Sequence, residues 1–308
     1  MLSQSTRRSF LAGSGTAVVA ASQISDRGGP IRFGGPIFLK SDDPEELARE
    51  HRRLGYSAAY CPQASVSETD RVRVIEKAFS DAKVVIAEVG AWKNMLDPDS
   101  AKSAANLAYV TERCALAEEV GARCCVDIAG SYNPTVWYGP NPKNLSPEFF
   151  DATVENCRHI LDTVKPKRTK FTIEMMGWNI PDGPDSYLRL IRAVDRPRFG
   201  VHMDVCNGVN CPARFYGNSE FIGECFSKLG LWITSCHAKD LQWIVELNVH
   251  FLEVVPGRGQ MDYGRYLGEL SKLRDVPLMM EHLKTAEEYQ EAAQYIRGVG
   301  AQKGLSFI

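Results

Sequence analysis

The sequence predicts an α/β fold, a single (β/α)₈ TIM barrel, and two observations lead to this prediction. Short apolar runs alternate with longer amphipathic stretches from residue 31 onward, which is typical of parallel strand–helix–strand units. Eight such units within roughly 275 residues fit the usual size of this barrel. A doubly wound open sheet is the alternative, and it is disfavoured because no Gly-rich phosphate-binding turn follows any of the runs.

The first thirty residues are predicted to precede the folded domain. The chain begins like a twin-arginine export signal, with the motif STRRSFL at 5–11 and a weakly apolar stretch over 11–21. Small residues at 19–22 suit signal-peptidase cleavage. A disordered basic N-terminus is the alternative. We therefore expect a cleavable signal and linker over 1–30, a barrel over 31–308, and an exported protein that resides in the periplasm.

The eight predicted strands are rich in Val, Ile, Phe and Cys and lack a polar alternation, as expected for strands covered on both faces. In chain order they are Ile31–Phe38, Tyr56–Cys61, Lys83–Glu88, Cys124–Ile128, Lys170–Glu174, Phe199–Asp204, Trp232–His237 and Pro277–Glu281. Helix-start signals separate them, at Asp43-Pro44 for the first helix, Ser146-Pro147 for the fourth and Thr285 for the last.

Two predicted connections are longer than a structural linker requires. They follow strands four and seven and span Gly130–Ser146 and Lys239–Asp262. Because the loops after the strands form the active-site face of a barrel, they predict a roofed pocket there.

Composition narrows the function. The formal net charge is −2, and no basic run follows the N-terminus, so a nucleic-acid partner is not expected. No later apolar run is long enough to span a membrane. The nine cysteines form no CxxC pair, and most are expected to be small buried apolar residues. A Cys206–Cys211 disulfide is left open, as is a homo-oligomeric state.

Ionisable residues end four consecutive predicted strands. Glu174 ends strand five, Asp204 strand six, His237 strand seven and Glu281 strand eight. A carboxylate or imidazole buried behind an apolar run is costly unless it is paired or bound to a cation. Neighbouring strands lie about 4.8 Å apart, so the four side chains converge on one rim. The pattern predicts a divalent-metal site, whereas any one of these residues alone would indicate only a salt bridge.

Three carboxylates and one imidazole form an oxygen-rich ligand set. Such a set suits Mn²⁺, Mg²⁺ or Co²⁺ in octahedral geometry, with Zn²⁺ also acceptable. We expect Mn²⁺ as the cofactor. The ligand charge of −3 leaves an excess that Lys239 or Arg258 would offset.

At these residues the chain resembles the xylose isomerase-like TIM barrel superfamily, which includes sugar phosphate isomerase/epimerases and ketose 3-epimerases. Two motifs carry the resemblance besides the four ligands, His-Ala-Lys-Asp at 237–240 and Pro-Gly-Arg-Gly at 256–259, followed by Asp262. The resemblance implies that Glu174 and Glu281 both bind the metal and act as the acid/base pair. It implies a sugar or keto-sugar substrate and proton abstraction next to a carbonyl through an enediolate.

The chain departs from the ketose 3-epimerase pattern at two places. Asn207 stands where those enzymes carry a substrate-binding histidine, and Leu241-Gln242-Trp243 replaces a stretch that contains an arginine. The departures favour an alternative, a metal-dependent lyase or hydrolase that acts on keto-glycosides. A non-catalytic sugar-binding barrel is a third interpretation. An abasic-site endonuclease is disfavoured, because six histidines are too few for its three-metal cluster.

Four further residues are predicted to bind substrate, each with an alternative role. His202 points to the same side of its strand as Asp204, or it is a histidine packed inside the barrel. Lys239 contacts substrate oxygens or neutralises Asp240 or Glu281. Arg258 reaches the ligand from a Gly-rich loop or is a solvated charge. Trp178 stacks on a sugar ring, as Trp92, Trp137 and Tyr138 also could, or packs.

Four other polar residues are also assigned positions. Glu88 and Asp127 end strands three and four as polar rim residues or sugar binders. His282 is expected to pack beneath a helix, because alternation along the strand turns it away from Glu281. His51 is expected on the surface of the first helix.

Overall fold

The computed structural model describes residues 28–308, and nearly all of the predicted export segment lies outside them. The strands are β1 (Arg32–Gly34), β2 (Ala58–Tyr60), β3 (Val85–Gly90), β4 (Cys124–Asp127), β5 (Lys170–Glu174), β6 (Phe199–Met203), β7 (Ile233–Ala238), β8 (Asp240–Trp243), β9 (Phe251–Val254) and β10 (Pro277–Met280). The helices are α1 (Pro44–Arg53), α2 (Thr69–Asp81), α3 (Ser100–Val120), α4 (Pro147–Val164), α5 (Pro184–Val194), α6 (Val205–Gly208), α7 (Pro212–Tyr216), α8 (Asn218–Leu229), α9 (Tyr263–Leu270) and α10 (Ala286–Gln302).

Eight parallel strands close into a barrel in the order β1-β10-β7-β6-β5-β4-β3-β2. Each is followed by at least one helix, so the structure is the predicted single TIM barrel. The register between β1 and β10 pairs Arg32 with Pro277 and Gly34 with Met279, which completes the ring. The predicted strands agree with the observed ones except at their ends; β1, for example, ends at Gly34 rather than Phe38.

The helix-start signals identified in the sequence act as caps. Asp43, Ser146 and Thr285 each accept a hydrogen bond from a backbone N–H in the first turn of α1, α4 and α10. Each bond satisfies one of the N–H groups that a helix start leaves without a partner. The predicted long loop after β7 contains an antiparallel hairpin, β8 and β9, which pairs Asp240 with Val254.

Apolar side chains between the barrel and its helices form the core, and the polar side chain of His51 is buried beside them. This histidine is buried in α1, where its Nδ1 lies 2.8 Å from the Leu47 carbonyl and its ring packs against Phe79. The prediction of a surface position for His51 is therefore wrong. The prediction failed because the hydrogen bond to the Leu47 carbonyl, one turn earlier in α1, allows the polar ring of His51 to be buried. No helix of residues 28–308 has the length and apolarity needed to cross a membrane.

Candidate metal centre

The four predicted ligands lie together at the carboxyl end of the barrel. Glu174 is the last residue of β5, Asp204 follows β6, His237 lies near the end of β7 and Glu281 follows β10. These strands are consecutive neighbours in the barrel. One donor atom from each residue lies within 4.8 Å of the others, a spacing compatible with a single shared ion. We call these four residues the ligand quartet.

His237 lies at the centre of the ligand quartet. Its Nδ1 is 2.8 Å from Glu281 Oε1, 2.9 Å from Glu174 Oε1 and 3.6 Å from Asp204 Oδ2. His237 and Asp204 are fully buried, and the side chains of Glu174 and Glu281 are only 7% and 11% exposed. Asp204 also caps α6, because its Oδ1 accepts from the Asn207 N–H. Asp204 Oδ1 therefore holds the backbone of α6, while Asp204 Oδ2 faces the other three ligands.

The quartet fits a divalent cation by its donor chemistry. Two buried oxygens in it, Asp204 Oδ2 and Glu281 Oε1, make no directed hydrogen bond. They do lie 2.7 and 2.8 Å from the ammonium of Lys239. Three carboxylates carry −3 and Lys239 carries +1, which leaves −2 for a cation to neutralise. A divalent ion balances this charge, and the oxygen-rich set suits Mg²⁺ or Mn²⁺.

The carboxyl groups of the quartet are electrostatically distinct. Burial raises the pKa of Glu174, and neighbouring Glu281 adds to the effect. For Asp204, burial acts upward, but Lys239 and His237 outweigh it and bring the pKa to about 2. The pKa of Glu281 is lowered in the same way, with His237 and Lys239 outweighing burial. Burial acts to lower the pKa of His237, yet the surrounding anions, Glu281 first, raise it well above its usual value. A bound cation would therefore displace a proton from this ring.

A cavity of about 560 Å³ opens above the quartet. Its size is in the range of small-molecule sites. Glu174, Glu281 and Lys239 contribute charged groups at the metal site to its wall. The rest of its lining comes from loops and strand ends around the mouth: Pro36, Tyr60, Trp92, Ile128, Trp137, Tyr138, Met176, Trp178, Asn207, Glu253, His282 and Tyr289.

Four aromatic side chains form one wall of the cavity. Trp92, Trp137, Tyr138 and Trp178 are each 37% to 43% exposed. The Trp178 indole donates to the Tyr138 carbonyl at 2.6 Å, which joins the loops after β4 and β5. Trp92 has a left-handed backbone, with φ of 48°. Non-glycine residues adopt this conformation rarely, often at ligand-binding sites.

Of the four predicted substrate-binding residues, two line the cavity and two do not. Lys239 and Trp178 face it. His202 is fully buried beneath the quartet, with its ring centroid 4.1 Å from that of His237. Arg258 lies outside the cavity lining and pairs with Glu291 of α10 at 2.6 Å. The structure therefore brings neither His202 nor Arg258 to the pocket.

Glu88 and Asp127 are not rim residues. Both are fully buried. The Asp127 carboxylate accepts the backbone N–H groups of Lys93 and Ile128, whereas Glu88 lies inside the barrel against His202 and His237. The sequence does not fix the ends of the strands closely enough to distinguish side chains at the mouth of the barrel from side chains in the layer below it.

His282 faces the cavity, so the prediction that it packs beneath a helix is wrong. Its side chain is 59% exposed, its Nδ1 lies 3.1 Å from Glu253 Oε1, and its Nε2 lies 3.5 Å from Glu281 Oε2. Strand alternation does not apply because the backbone of His282 is left-handed, with φ of 61°. Glu253, on β9, is a cavity residue that sequence reasoning missed, since the hairpin that carries it was predicted only as a loop.

The two motifs at 237–240 and 256–259 are parts of one structure. The buried Asp240 carboxylate accepts N–H groups from Leu241, Gly257, Gly259 and Met261. A Cβ at Gly259 would lie 2.2 Å from Asp240 Oδ1, so the loop needs glycine there. Asp240 thus holds the Gly-rich loop against the base of the hairpin.

All nine cysteines, including Cys206 and Cys211, are unpaired.

The chain belongs to the xylose isomerase-like TIM barrel family, whose family model matches residues 46–299. Among solved structures, it is similar to endonuclease IV from Thermus thermophilus, with a TM-score of 0.65, 14% identity, and coverage of 88% of this chain and 99% of that one. It is similar to D-psicose 3-epimerase from Clostridium cellulolyticum, with a TM-score of 0.60, 14% identity, and coverage of 87% and 99%.

A third similar structure is the 3-keto-D-glucoside 4-epimerase from E. coli, with a TM-score of 0.61, 12% identity, and coverage of 87% of this chain and 99% of that one. No curated protein matches the sequence. At these identities the likenesses show a shared fold.

Proposed function

We propose that this protein is a metal-dependent sugar isomerase or epimerase that abstracts a proton next to a substrate carbonyl and forms an enediolate. One observation carries the proposal: three carboxylates and an imidazole from four adjacent strands converge within 4.8 Å, at the floor of a cavity of about 560 Å³. The D-psicose 3-epimerase and 3-keto-D-glucoside 4-epimerase with this fold support a sugar as the substrate class.

The quartet would hold one divalent ion, with Mn²⁺ as the expected metal and Mg²⁺, Co²⁺ or Zn²⁺ as alternatives. Such an ion supplies a Lewis acid that polarises a carbonyl and offsets negative charge developing on its oxygen. Glu174 ends β5 and Glu281 directly follows β10, and these two strands are the ends of the four-strand arc. They therefore approach the substrate from different directions.

Glu174 and Glu281 are the proposed acid/base pair. One carboxylate takes the proton from the carbon beside the carbonyl, and the electron pair of the C–H bond moves toward the carbonyl oxygen. Return of a proton by the other carboxylate to the opposite face of that carbon re-forms the carbonyl and gives the epimer. Return to the former carbonyl carbon gives the isomer, with the proton of the neighbouring hydroxyl passing to the former carbonyl oxygen. The pKa of Glu174 is raised and that of Glu281 is lowered, as expected for a pair with divided roles.

Other residues would orient the substrate and exclude water. The Lys239 ammonium lies at the cavity wall, where it would donate to a substrate oxygen in place of its present contact with Asn207 Oδ1. The aromatic wall offers ring faces for the C–H face of a sugar. Met176 and Ile128 add apolar lining that keeps water from the reacting carbon.

A lyase or hydrolase acting on keto-glycosides is the second candidate, and the hydrogen bond between Asn207 and Lys239 favours it. Its Oδ1 accepts from Lys239 at 3.1 Å, so it does not replace the substrate-binding histidine of ketose 3-epimerases. The broad aromatic wall leaves room for a group attached to the sugar. The same proton abstraction next to a 3-keto group would then expel the aglycone.

Metal analysis of the purified chain, with and without Asp204→Ala, tests the site. We expect one divalent ion per chain and its loss in the variant, whereas the exposed α2 carboxylate variant Asp81→Ala retains it. Incubation with ketoses and 3-keto-glycosides in D₂O then tests the chemistry. Deuterium incorporation without bond cleavage supports an epimerase or isomerase, and aglycone release supports the second candidate. Metal-loaded protein that exchanges no proton with any of them would refute both.

A further inference from the structure

A second group of polar side chains lies directly beneath the quartet, inside the barrel. It consists of Glu88, His202 and Ser235, all fully buried, and it meets the quartet at His237. Glu88 lies on β3, which is diametrically opposite β7 in the ring of strands. Its carboxylate therefore reaches across the barrel interior to the strand that carries the metal-site imidazole.

The Glu88 carboxylate has a complete set of donors. Oε1 lies 3.0 Å from His202 Nε2 and also accepts the Ser235 hydroxyl. Oε2 lies 3.2 Å from His237 Nε2. The Nδ1 of His202 is buried without a partner, so a neutral His202 carries its proton on Nε2 and donates it to Glu88. A buried charge without such donors would cost roughly several kcal/mol.

The two nitrogens of His237 face opposite environments. Nδ1 faces the three carboxylates of the quartet, and Nε2 faces Glu88. A metal ligand needs a free lone pair, so a metal at Nδ1 requires the remaining proton on Nε2, where Glu88 accepts it. The Glu88 carboxylate thereby selects the tautomer of His237, fixes the plane of its ring and makes Nδ1 a stronger metal ligand.

We infer that Glu88 is a positioning residue for the metal ligand His237, held in place by His202 and Ser235. The inference rests on the proposed function, since it requires the quartet to bind a metal. Glu88, His202 and His237 also lie close enough together to hold an ion of their own. The hydrogen-bonded arrangement is favoured over a second ion, because three donors already occupy the Glu88 carboxylate in a region closed to solvent.

Titration of metal-free protein with Co²⁺, followed by visible absorption and calorimetry, tests the role of Glu88. Glu88→Gln keeps the side-chain shape and removes the charge. We expect its Co²⁺ affinity to fall by about 10- to 100-fold and its absorption bands to shift, while circular dichroism stays that of the parent. Asp127→Asn is the matched control: it removes a fully buried carboxylate from the neighbouring strand β4, where only backbone N–H groups bind it. Its Co²⁺ affinity should remain within about 2-fold.

Each outcome is decisive. Unchanged Co²⁺ affinity and spectrum in Glu88→Gln would overturn the inference, as would two ions per parent chain and one in the variant. If Glu88→Gln does not fold, Ser235→Ala, which removes only one hydroxyl that orients Glu88, must reproduce the spectral shift with a smaller loss of affinity. A parent chain that binds no divalent ion would overturn the proposed function as well, which distinguishes that failure from an error about Glu88 alone.

Discussion

Replacing Lys239 by methionine is expected to destabilise the metal-free protein substantially while leaving the packed volume nearly unchanged. The Lys239 ammonium is 3% exposed and lies 2.7 Å from Asp204 Oδ2 and 2.8 Å from Glu281 Oε1. In the variant these buried carboxylates lose a cation that lies against both of them, and the imidazoles of His237 and His282 remain to offset them.

The magnitude follows from the geometry. At an effective dielectric constant of about 20, each of these ion pairs contributes about 6 kcal/mol of Coulomb energy. Desolvation of the ammonium offsets much of that, and breaking a buried pair from one side typically costs about 3–5 kcal/mol. In a domain of this size, the unfolding entropy is such that a loss of 1 kcal/mol in the free energy of unfolding lowers the melting temperature by about 2 °C. We therefore expect the melting temperature of metal-free Lys239→Met to fall by about 5–10 °C.

A divalent ion should reverse much of this loss. It would replace the missing positive charge next to the same two oxygens, so added Mn²⁺ should raise the melting temperature more in the variant than in the parent. Differential scanning calorimetry in EDTA and then in excess Mn²⁺ measures both values. Lys228→Met is the matched control, because Lys228 pairs with Asp185 and Glu224 at the surface and its loss should cost at most about 1 kcal/mol. Equal destabilisation by the two substitutions, or a deficit that Mn²⁺ does not reduce, would refute the reasoning.

Three further predictions concern stability and export. Glu118 accepts the N–H groups of Lys167, Arg168 and Thr169; although burial acts upward, these bonds lower its pKa. Its stabilisation is present above the unfolded pKa near 4.3 and is lost as pH falls through the lower folded value. Glu118→Gln should therefore cost about 1–2 kcal/mol in urea unfolding at pH 7, and a difference that persists at pH 3 would contradict this. Gly259→Ala places a Cβ against Asp240 and should cost about 2 kcal/mol or more. Gly298→Ala, in open space within α10, should instead stabilise by about 0.5–1 kcal/mol, and similar melting temperatures for the two would argue against the Asp240 anchor. Finally, replacing Arg7 and Arg8 together by lysine should retain the precursor in the cytoplasm, as immunoblots of cell fractions would show; undiminished export would contradict a twin-arginine signal.

The barrel was predictable because its signals repeat. Each unit pairs an apolar run with an amphipathic helix, and errors at single strand ends do not change the count. The positions of the quartet were predictable for the same reason, since a polar side chain at the carboxyl end of a buried strand lies at the mouth of the barrel. Glu174, Asp204, His237 and Glu281 all lie where the strand pattern placed them.

The features that were missed depend on long-range contacts or local backbone geometry. Glu88 reaches a histidine 149 residues away across the barrel, and no local pattern reports such a contact. His282 turns toward the cavity through a left-handed backbone that strand alternation does not describe. Glu253 reaches the site only because a hairpin forms within a segment that looks like a loop.

Residues at the two ends of the described chain meet on the far side of the barrel. Ile31 bridges to Phe307, the Ile31 N–H donates to Ser306, and the Ile308 N–H donates to Ile31. Because β1 begins beside this junction and its carboxyl end points to the cavity, the junction lies a full barrel height from the quartet. A circularly permuted chain that joins residues 31 and 308 by a short peptide should keep its cavity open. Attachment to a solid support through residue 308 should likewise leave the cavity facing the solution.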